Sequence, residues 1–550
     1  MNIISYAIDK QTGIYTSDGR HITEAPFLDV IANDGTKDTI KVFTHLDADV
    51  AGLIALCKLT HKELETLSRD EHLTPTGSPC SLTYYPGKFF GIGKRVNGDW
   101  KFSGIADMSH YDVELERIED NHTSEYWFAK VKKSYDLAVE VYKEMMQIAR
   151  DYGRELHIKS MISAKNMWEP IFDEIDMPTY DEVPEEAAIM AYEACMGNWV
   201  EVYQRGRFEH ATDFDISSAY PHWASHLLNL RDGFWVESSD YQPKAYYGYL
   251  DVEVNIDSKF SPVLWKNKEQ ENYSFTGVTR VKMTKNLFDY INKREKGFGT
   301  IVKGWWWAPT KVCKPFEKPI EKLYDLKKRS SGLRKELIKG IMNGCFYGNL
   351  LQDAGGKKGK HFMPPYAAEI EANTRIQVAE FIESNKLVDR LLAIAVDGAM
   401  INGEVDNFVD SRNGMGSWRK SYEGEAVVIN NGLTCIDGKF GQGDFSISLE
   451  TLKELFNPNI KADSWSIDKL AVKTLGQAIN EHKPDSVGDL YTMAKTFYLD
   501  DFKREWVRNP KNAQDILSKV YNSKPYDIDR IKIMTESTDE ELEEEYNATE

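Results

Sequence analysis

The stretch TDFDISSAYPHW, residues 212–223, decides the reading of this chain. Phe214 and Ile216 share one strand parity and Asp213 and Asp215 the other. A short strand here would bury an aromatic face and present two carboxylates on the opposite face. Ser217, Ser218 and Ala219 then turn the chain, and Pro221 stands early in the next helix, where its missing N–H costs little. The backbone amides of such a turn can hold an anion such as a triphosphate. An ordinary Asp/Ser turn capping a helix uses the same residues, so the stretch gains chemical meaning only from its company.

Two other stretches supply that company. In KKRSSGLRKELIKGIMNGCFYGN, residues 327–349, Lys335 and Lys339 stack on one helical face. Lys327 precedes a break at RSSG and can join them if the hairpin folds back. Cations grouped this way suit a triphosphate, although a solvated basic face over Leu337, Ile338 and Ile341 has the same pattern. Asn343, Phe346 and Tyr347 follow near the helix end, where an aromatic ring could stack on a base. In LLAIAVDGAM, residues 391–400, an apolar strand climbs to Asp397. Read as one strand, it turns Ile394, Val396 and Met400 one way and Ala393, Ala395, Asp397 and Ala399 the other. Asp-Gly is also a hairpin-turn dipeptide.

In chain order these give a strand-borne aspartate, a lysine-rich helix ending in N-x-x-x-Y-G, and a second aspartate at a strand turn. Two carboxylates from adjacent strands can bridge two Mg²⁺ ions roughly 3.5–4 Å apart, activating a hydroxyl and stabilising departing pyrophosphate. The lysines would neutralise the triphosphate.

Composition sets the frame. A chain of 550 residues is too long for one core. No apolar run reaches the roughly 18 residues of a membrane span, and MNIISYAIDKQTG lacks a signal pattern. Six cysteines at 57, 80, 195, 313, 345 and 435 form no C-x-x-C pair, which fits a reducing compartment and neither a zinc ribbon nor a disulfide framework. The expectation is a cytoplasmic protein with no membrane partner. The net charge of −19 would discourage nucleic acid as a partner. The charge is uneven, however: residues 311–360 are rich in Lys and Arg, whereas 535–550 are acidic and read as a disordered tail.

The motifs carry a family resemblance. DFDISSAYP resembles motif A of family B DNA polymerases, D-x-x-S-L-Y-P, through Asp215, Ser218, Tyr220 and Pro221. KGIMNGCFYG resembles motif B, K-x-x-x-N-S-x-Y-G, and AIAVDG stands where motif C, Y-x-D-T-D-S/G, belongs. The run from Lys314 to Asn343 is most similar to the fingers helices of the protein-primed phage branch. The resemblance implies that Asp215 and Asp397 are catalytic and hold both metals, with the Ile216 carbonyl as a further ligand. It implies nucleotide contacts from Ser217, Ser218, Tyr220, Lys327, Lys335, Lys339, Asn343 and Tyr347, with Tyr220 excluding a ribose 2′-hydroxyl. The implied cofactor is a pair of Mg²⁺ ions, for which Mn²⁺ can substitute. The implied partners are template and primer DNA, dNTPs and a terminal or other replication protein, in the host cytoplasm if the chain is phage-encoded.

The departures are specific. Motif C lacks its tyrosine (Ala393) and its first aspartate (Ala395). Motif B carries one extra residue, so Phe346 or Tyr347 could be its tyrosine, and Gly344 replaces its serine. The primer-steadying K-x-Y motif has no clear match, and the insertion between motifs B and C shrinks to LQDAGGKKGKHFM. In the N-terminal third, FTHLDADVAGLIAL resembles the second exonuclease motif through Asp49, and KKSYDLAVEVY the third through Asp136, with Lys132 at its tyrosine position. Of the first, D-x-E, only Asp9 remains. Two-metal exonuclease chemistry needs about four clustered acids, so weak or absent proofreading is expected.

The expected fold is α+β and multidomain, a ribonuclease H-like domain followed by a right-hand polymerase. Its expected parts are an exonuclease-like domain over 1–190, palm over 191–227 and 366–465, a palm insertion over 228–314, fingers over 315–350, a short linker over 351–365, and thumb over 466–534. The expected function is template-directed nucleotidyl transfer to a 3′-hydroxyl or protein hydroxyl. The alternatives are an inactive polymerase-fold protein that binds nucleic acid, or a primase-like or template-independent nucleotidyltransferase.

Overall fold

The computed structural model describes residues 2–158, 161, 172–440, 464–498, 502–508 and 513–536, with short interruptions at 25, 36–37, 87–88, 97–98, 122, 198, 355–356, 411–413, 431–432 and 437–438. The acidic tail beyond 536 lies outside them. Helices and sheets are mixed in two compact units. One comprises Met1–Pro170, Asp325–Ile341 and Ser466–Lys495, the other Ile171–Tyr324, Met342–Trp465 and Thr496–Glu550. Among the described residues no helix is long and apolar enough to cross a membrane.

The first unit is built on Asn2–Asp9, whose near-continuous run of Ile, Tyr and Ala residues is buried on both faces. This strand pairs antiparallel with Gly13–Thr16 and parallel with Thr39–Phe43, which in turn runs parallel to Asp99–Asp107. A meander of shorter strands completes an eight-stranded sheet. The expected long helix is Ser124–Tyr152. Thr123 caps its start and Gly153, left-handed at φ 86°, its end. Val131, Ser134, Ala138, Val141, Met145 and Ile148 are buried at spacings of three and four, the inward stripe of an amphipathic helix.

Two later segments join this unit. One, Asp325–Ile341, is the middle of the expected hairpin, whose helices Glu317–Lys328 and Gly332–Asn343 are broken at 329–331. From its second helix Arg334 pairs with Asp151, and with Glu144 at 3.7 Å, both on the long helix. The segment Ser466–Lys495 brings Leu475, Ala478 and Val487 into the N-terminal core beside Leu53, Leu64 and Leu67. The stretch 466–534, expected as one thumb, is therefore divided. Three apolar side chains draw its first part into one unit, while the remainder belongs with the other.

The second unit carries two large, mainly antiparallel sheets. In the first, Gln204–Ile216 lies between Trp418–Asn430 and Gly398–Asn402, and the latter forms a hairpin with Leu391–Ala395. The long helix Pro364–Ser384 packs Val378, Phe381 and Ile382 against Phe214, Ile216, Ile394 and Ile401. The second sheet, from Gly233–Glu237, Tyr247–Ile256, Leu264–Lys266, Asn272–Thr284 and Gly299–Pro309, carries the expected helix Lys285–Arg294. A buried ionic pair braces the unit. Arg504 donates to Glu201 at 3.0 Å, and that carboxylate also accepts from Trp199, Tyr203 and Ser274.

Candidate active site

The strand Gln204–Ile216 disposes its end as its pattern demands. Phe214 and Ile216 are buried, while Asp213 and Asp215 on the opposite face are partly open. Phe214 is held by Phe381 and Phe408, with ring centroids at 5.3 and 4.7 Å.

Asp397 stands beside this edge at the tip of the neighbouring hairpin. Ala395 pairs with Gly398, so Val396 and Asp397 are the two turn residues and Asp397 is the second of them. A two-residue turn pairs residues of opposite parity. Ala393 therefore faces the same way as Met400, and Ile394 the same way as Ala399. The single-strand parity expected from sequence fails at the reversal. Val396 takes φ 59°, an unfavourable conformation for a β-branched residue. The strand pair is drawn tight: Ile216 N–H donates to the Asp397 carbonyl at 3.0 Å, and Asp215 lies opposite Gly398. A Cβ on Gly398 would stand 3.0 Å from the Phe214 carbonyl oxygen, so glycine permits this approach.

Arg419 completes the cluster. It lies directly opposite Asp215 on the strand Trp418–Asn430, and its Nε donates to Asp215 Oδ2 at 2.9 Å, with a second guanidinium nitrogen on the same oxygen. Burial, then the charge of Asp215, pushes the Asp213 carboxyl up to about 7, with Asp397 adding to the rise and Arg419 opposing it. Burial lowers the Arg419 guanidinium pKa, and the hydrogen bond to Asp215 and the three aspartate charges lift it above its usual value. Sequence reading passed over Arg419. Its signal, one cation opposite a motif aspartate, becomes visible only with the register.

The turn after Ile216 differs from expectation. Ser217 N–H donates to the Ser417 carbonyl at 2.9 Å, so that amide is not available to an anion. Ser218 takes φ 53° and begins a helix of only seven residues, Ala219–Ser225.

A second group lies at the motif B end. The chain from 344 to 348 makes a π-helical turn, which absorbs one residue. Phe346 is thereby buried against Phe172, while Tyr347 meets Tyr220 edge-on, with ring centroids 4.5 Å apart. This turn puts Tyr347, not Phe346, beside Tyr220. Tyr347 hydroxyl donates to buried Glu371, which also accepts from Gly197 N–H at 2.7 Å. Tyr347 and Glu371 line a cleft of about 470 Å³ with Lys266, Asn272 and Lys503. Asn343 is exposed.

Lys335 and Lys339 are exposed on their helix, Lys339 lying 3.7 Å from Glu336, and Lys327 is partly buried. These three lysines belong to the first unit and the aspartates to the second.

The N-terminal acids separate. Asp9 and Asp49 line a cleft of about 320 Å³ together with His45, Glu119, Asp120 and Lys130. Asp49 is fully buried and accepts from Ile8 N–H, Thr44 hydroxyl and His45 N–H at 2.7–2.9 Å. Burial nevertheless pushes it up to about 6. Asp136 does not join them. It sits on the outer face of its helix, paired with Lys132 at 2.8 Å. Helical periodicity explains this, because the buried neighbours on that helix are Ser134 and Ala138.

Asp215 and Asp397 offer hard carboxylate oxygens, the donor type Mg²⁺ takes, and a cation already stands on Asp215 in the form of Arg419. The residues fit divalent ions in donor chemistry. Among the described residues, the three-member group of possible ligands with donor atoms within 4.8 Å of one another is His210, Glu404 and Glu423 on the sheet surface, not the three aspartates.

No family model matches the chain, and no curated protein sequence does. Its structure has known likenesses. The orthorhombic crystal form of Phi29 DNA polymerase superposes with TM-score 0.64 at 12% identity, covering 90% of this chain and 100% of that one. Phi29 DNA polymerase complexed with primer-template DNA and incoming nucleotide gives TM-score 0.60 at 13% identity, covering 90% and 99%. The same enzyme with single-stranded DNA gives 0.60 at 13%, covering 90% and 100%. The chain has the fold of Phi29 DNA polymerase.

Proposed function

We propose that the chain is a template-directed DNA polymerase of the family B type, transferring a nucleotide from a dNTP to a 3′-hydroxyl or a protein hydroxyl. The observation that carries this reading is the placement of Asp215, near the end of its strand, beside Asp397 in the turn of the adjoining hairpin, tied by the Ile216–Asp397 hydrogen bond, in a chain of this fold. In the reading, these two carboxylates and the Ile216 carbonyl hold two Mg²⁺ ions, or Mn²⁺ in their place, which supply a polarised hydroxyl and charge relief at the leaving pyrophosphate. Tyr220, braced by Tyr347, forms the floor under the sugar. Ser217, Ser218 and Asn343 serve the nucleotide. Primer-template DNA and dNTPs are the partners, as in the complexes of the similar enzyme. A ribonuclease H-like domain accords with the strand order of the first sheet. Little or no proofreading accords with Lys130 in the N-terminal cleft, the three protein donors on Asp49 and the outward Asp136.

A second reading has one observation in its favour. Ala395 removes a carboxylate and Arg419 adds a cation, as befits a polymerase fold kept only for binding nucleic acid. Primer extension with Mg²⁺ and Mn²⁺ separates the two. Wild-type protein should extend, and Asp215→Asn and Asp397→Asn should each lose at least about a hundredfold. Extension undiminished in both variants overturns the first reading. DNA binding without incorporation under either ion supports the second.

A further inference from the structure

The pairing of Arg419 with Asp215 places a fixed cation where a metal-holding carboxylate is needed. Its position is dictated by the backbone. The two residues are direct cross-strand partners, so the register keeps the guanidinium within reach of Asp215, while rotation of its side chain can withdraw it. The start of its strand is anchored on the motif turn. Gly416 N–H donates to the Ser217 carbonyl at 2.7 Å, Gln377 Nε2 donates to the Gly416 carbonyl at 2.6 Å, and Trp418 stacks on Phe381 at 4.1 Å. Gly416 itself has φ 78°, and a Cβ there would meet the His222 ring at 2.3 Å, so only glycine lets the loop approach so closely. The backbone at both ends of the contact is therefore set by the fold, although the Arg419 side chain itself is half-exposed.

The chemistry of Oδ2 follows. That oxygen accepts two N–H groups of a guanidinium, which occupy the lone-pair directions a metal would use. An ion that takes Oδ2 must displace the guanidinium from it, whereas Oδ1 is not engaged by Arg419. Ala395 deepens the imbalance, because the turn that carries Asp397 contributes no second carboxylate to outbid the arginine. We propose that Arg419 is an internal competitor for divalent cations at Asp215. It satisfies the carboxylate when no ion is bound, lowers the affinity of the site, and is released toward the substrate side when an ion takes its oxygen. This inference rests on the reading that Asp215 and Asp397 form the metal site.

The test is Mn²⁺ binding to the full-length protein, followed by electron paramagnetic resonance and calorimetry without DNA or nucleotide. Arg419→Gln should tighten Asp215-dependent binding roughly tenfold, the scale of a lost charge-assisted hydrogen bond. Arg419→Lys, which keeps the charge without the fork and guards against a folding defect, should fall between. The gain should vanish when Asp215→Asn is added. In EDTA, Arg419→Gln should melt below wild type, and Mn²⁺ should raise its melting temperature more than that of wild type. Equal or weaker Asp215-dependent Mn²⁺ binding in Arg419→Gln overturns the inference alone and makes Arg419 a strut or a support of the site. Absence of any Asp215-dependent binding in wild type and variant overturns the metal-site reading and the inference together.

Discussion

At the residue scale, the most informative position is Ala395. It is exposed beside Gly398, at the base of the turn that carries Asp397. A carboxylate there would face solvent, so Ala395→Asp should change stability by no more than about 0.5 kcal/mol. It should raise primer extension several-fold at limiting Mg²⁺, measured as the Mg²⁺ concentration giving half-maximal rate. An unchanged requirement would show that the site does not use that position. Glu369 tests a different property. It is fully buried on the helix Pro364–Ser384, accepts from Asn286 at 3.0 Å, and is pushed by burial up to about 8. The folded state therefore keeps a proton that the unfolded chain loses near the ordinary glutamate value. Stability contributed by this site is full below about 4.5, and falls as pH rises toward about 8. Glu369→Gln should abolish that fall, so that the variant gains on wild type by a few kcal/mol between pH 5 and 8 in denaturant titrations.

At the element scale, the hairpin Leu391–Ala395 and Gly398–Asn402 carries strain at its tip. Val396 at φ 59° holds its place because its N–H donates to the Trp199 carbonyl at 2.8 Å. Of the two turn residues only Val396 has positive φ, the pattern that favours glycine at the first position, so Val396→Gly should stabilise the protein by about 1 kcal/mol. A lower denaturation midpoint would show that packing of the valine outweighs its backbone cost. The π-helical turn at 344–348 is the second element whose local irregularity sets the site, since it turns Tyr347 rather than Phe346 toward Tyr220. Most of the elements themselves were legible. The long helix of the N-terminal third, the broken lysine hairpin and the strand before Asp215 all follow from periodicity and turn residues. The parity of the hairpin was not, because the Asp397-Gly398 dipeptide signals a turn without fixing its register, and the turn falls one residue earlier, at Val396-Asp397.

At the scale of the whole molecule, the chain is woven between two units, and each takes segments distant in sequence. Leu475 is 2% exposed within the N-terminal core although it lies more than 400 residues from the first strand. Leu475→Ala should cost 2–5 kcal/mol, the range for a buried leucine. Hydrogen exchange should locate the loss in the helix Leu46–Cys57 and its neighbours. Loss confined to the 466–495 segment would show that it docks on a core already stable alone.

The sequence by itself determined the order of the three stretches, the two aspartates, the alanines at 393 and 395, and the aromatic face under Asp215. Each of these depends on residue identity or on spacing within one element. Only the tertiary structure decided that Arg419 stands on Asp215, that Tyr347 faces Tyr220, and that Asp136 points away from Asp9 and Asp49. It also decided that residues 466–495 belong to the N-terminal core. The physical reason is common to all four. Local periodicity says which face of an element a side chain occupies, but cross-strand register, an inserted helical residue and long-range apolar burial decide what that face meets.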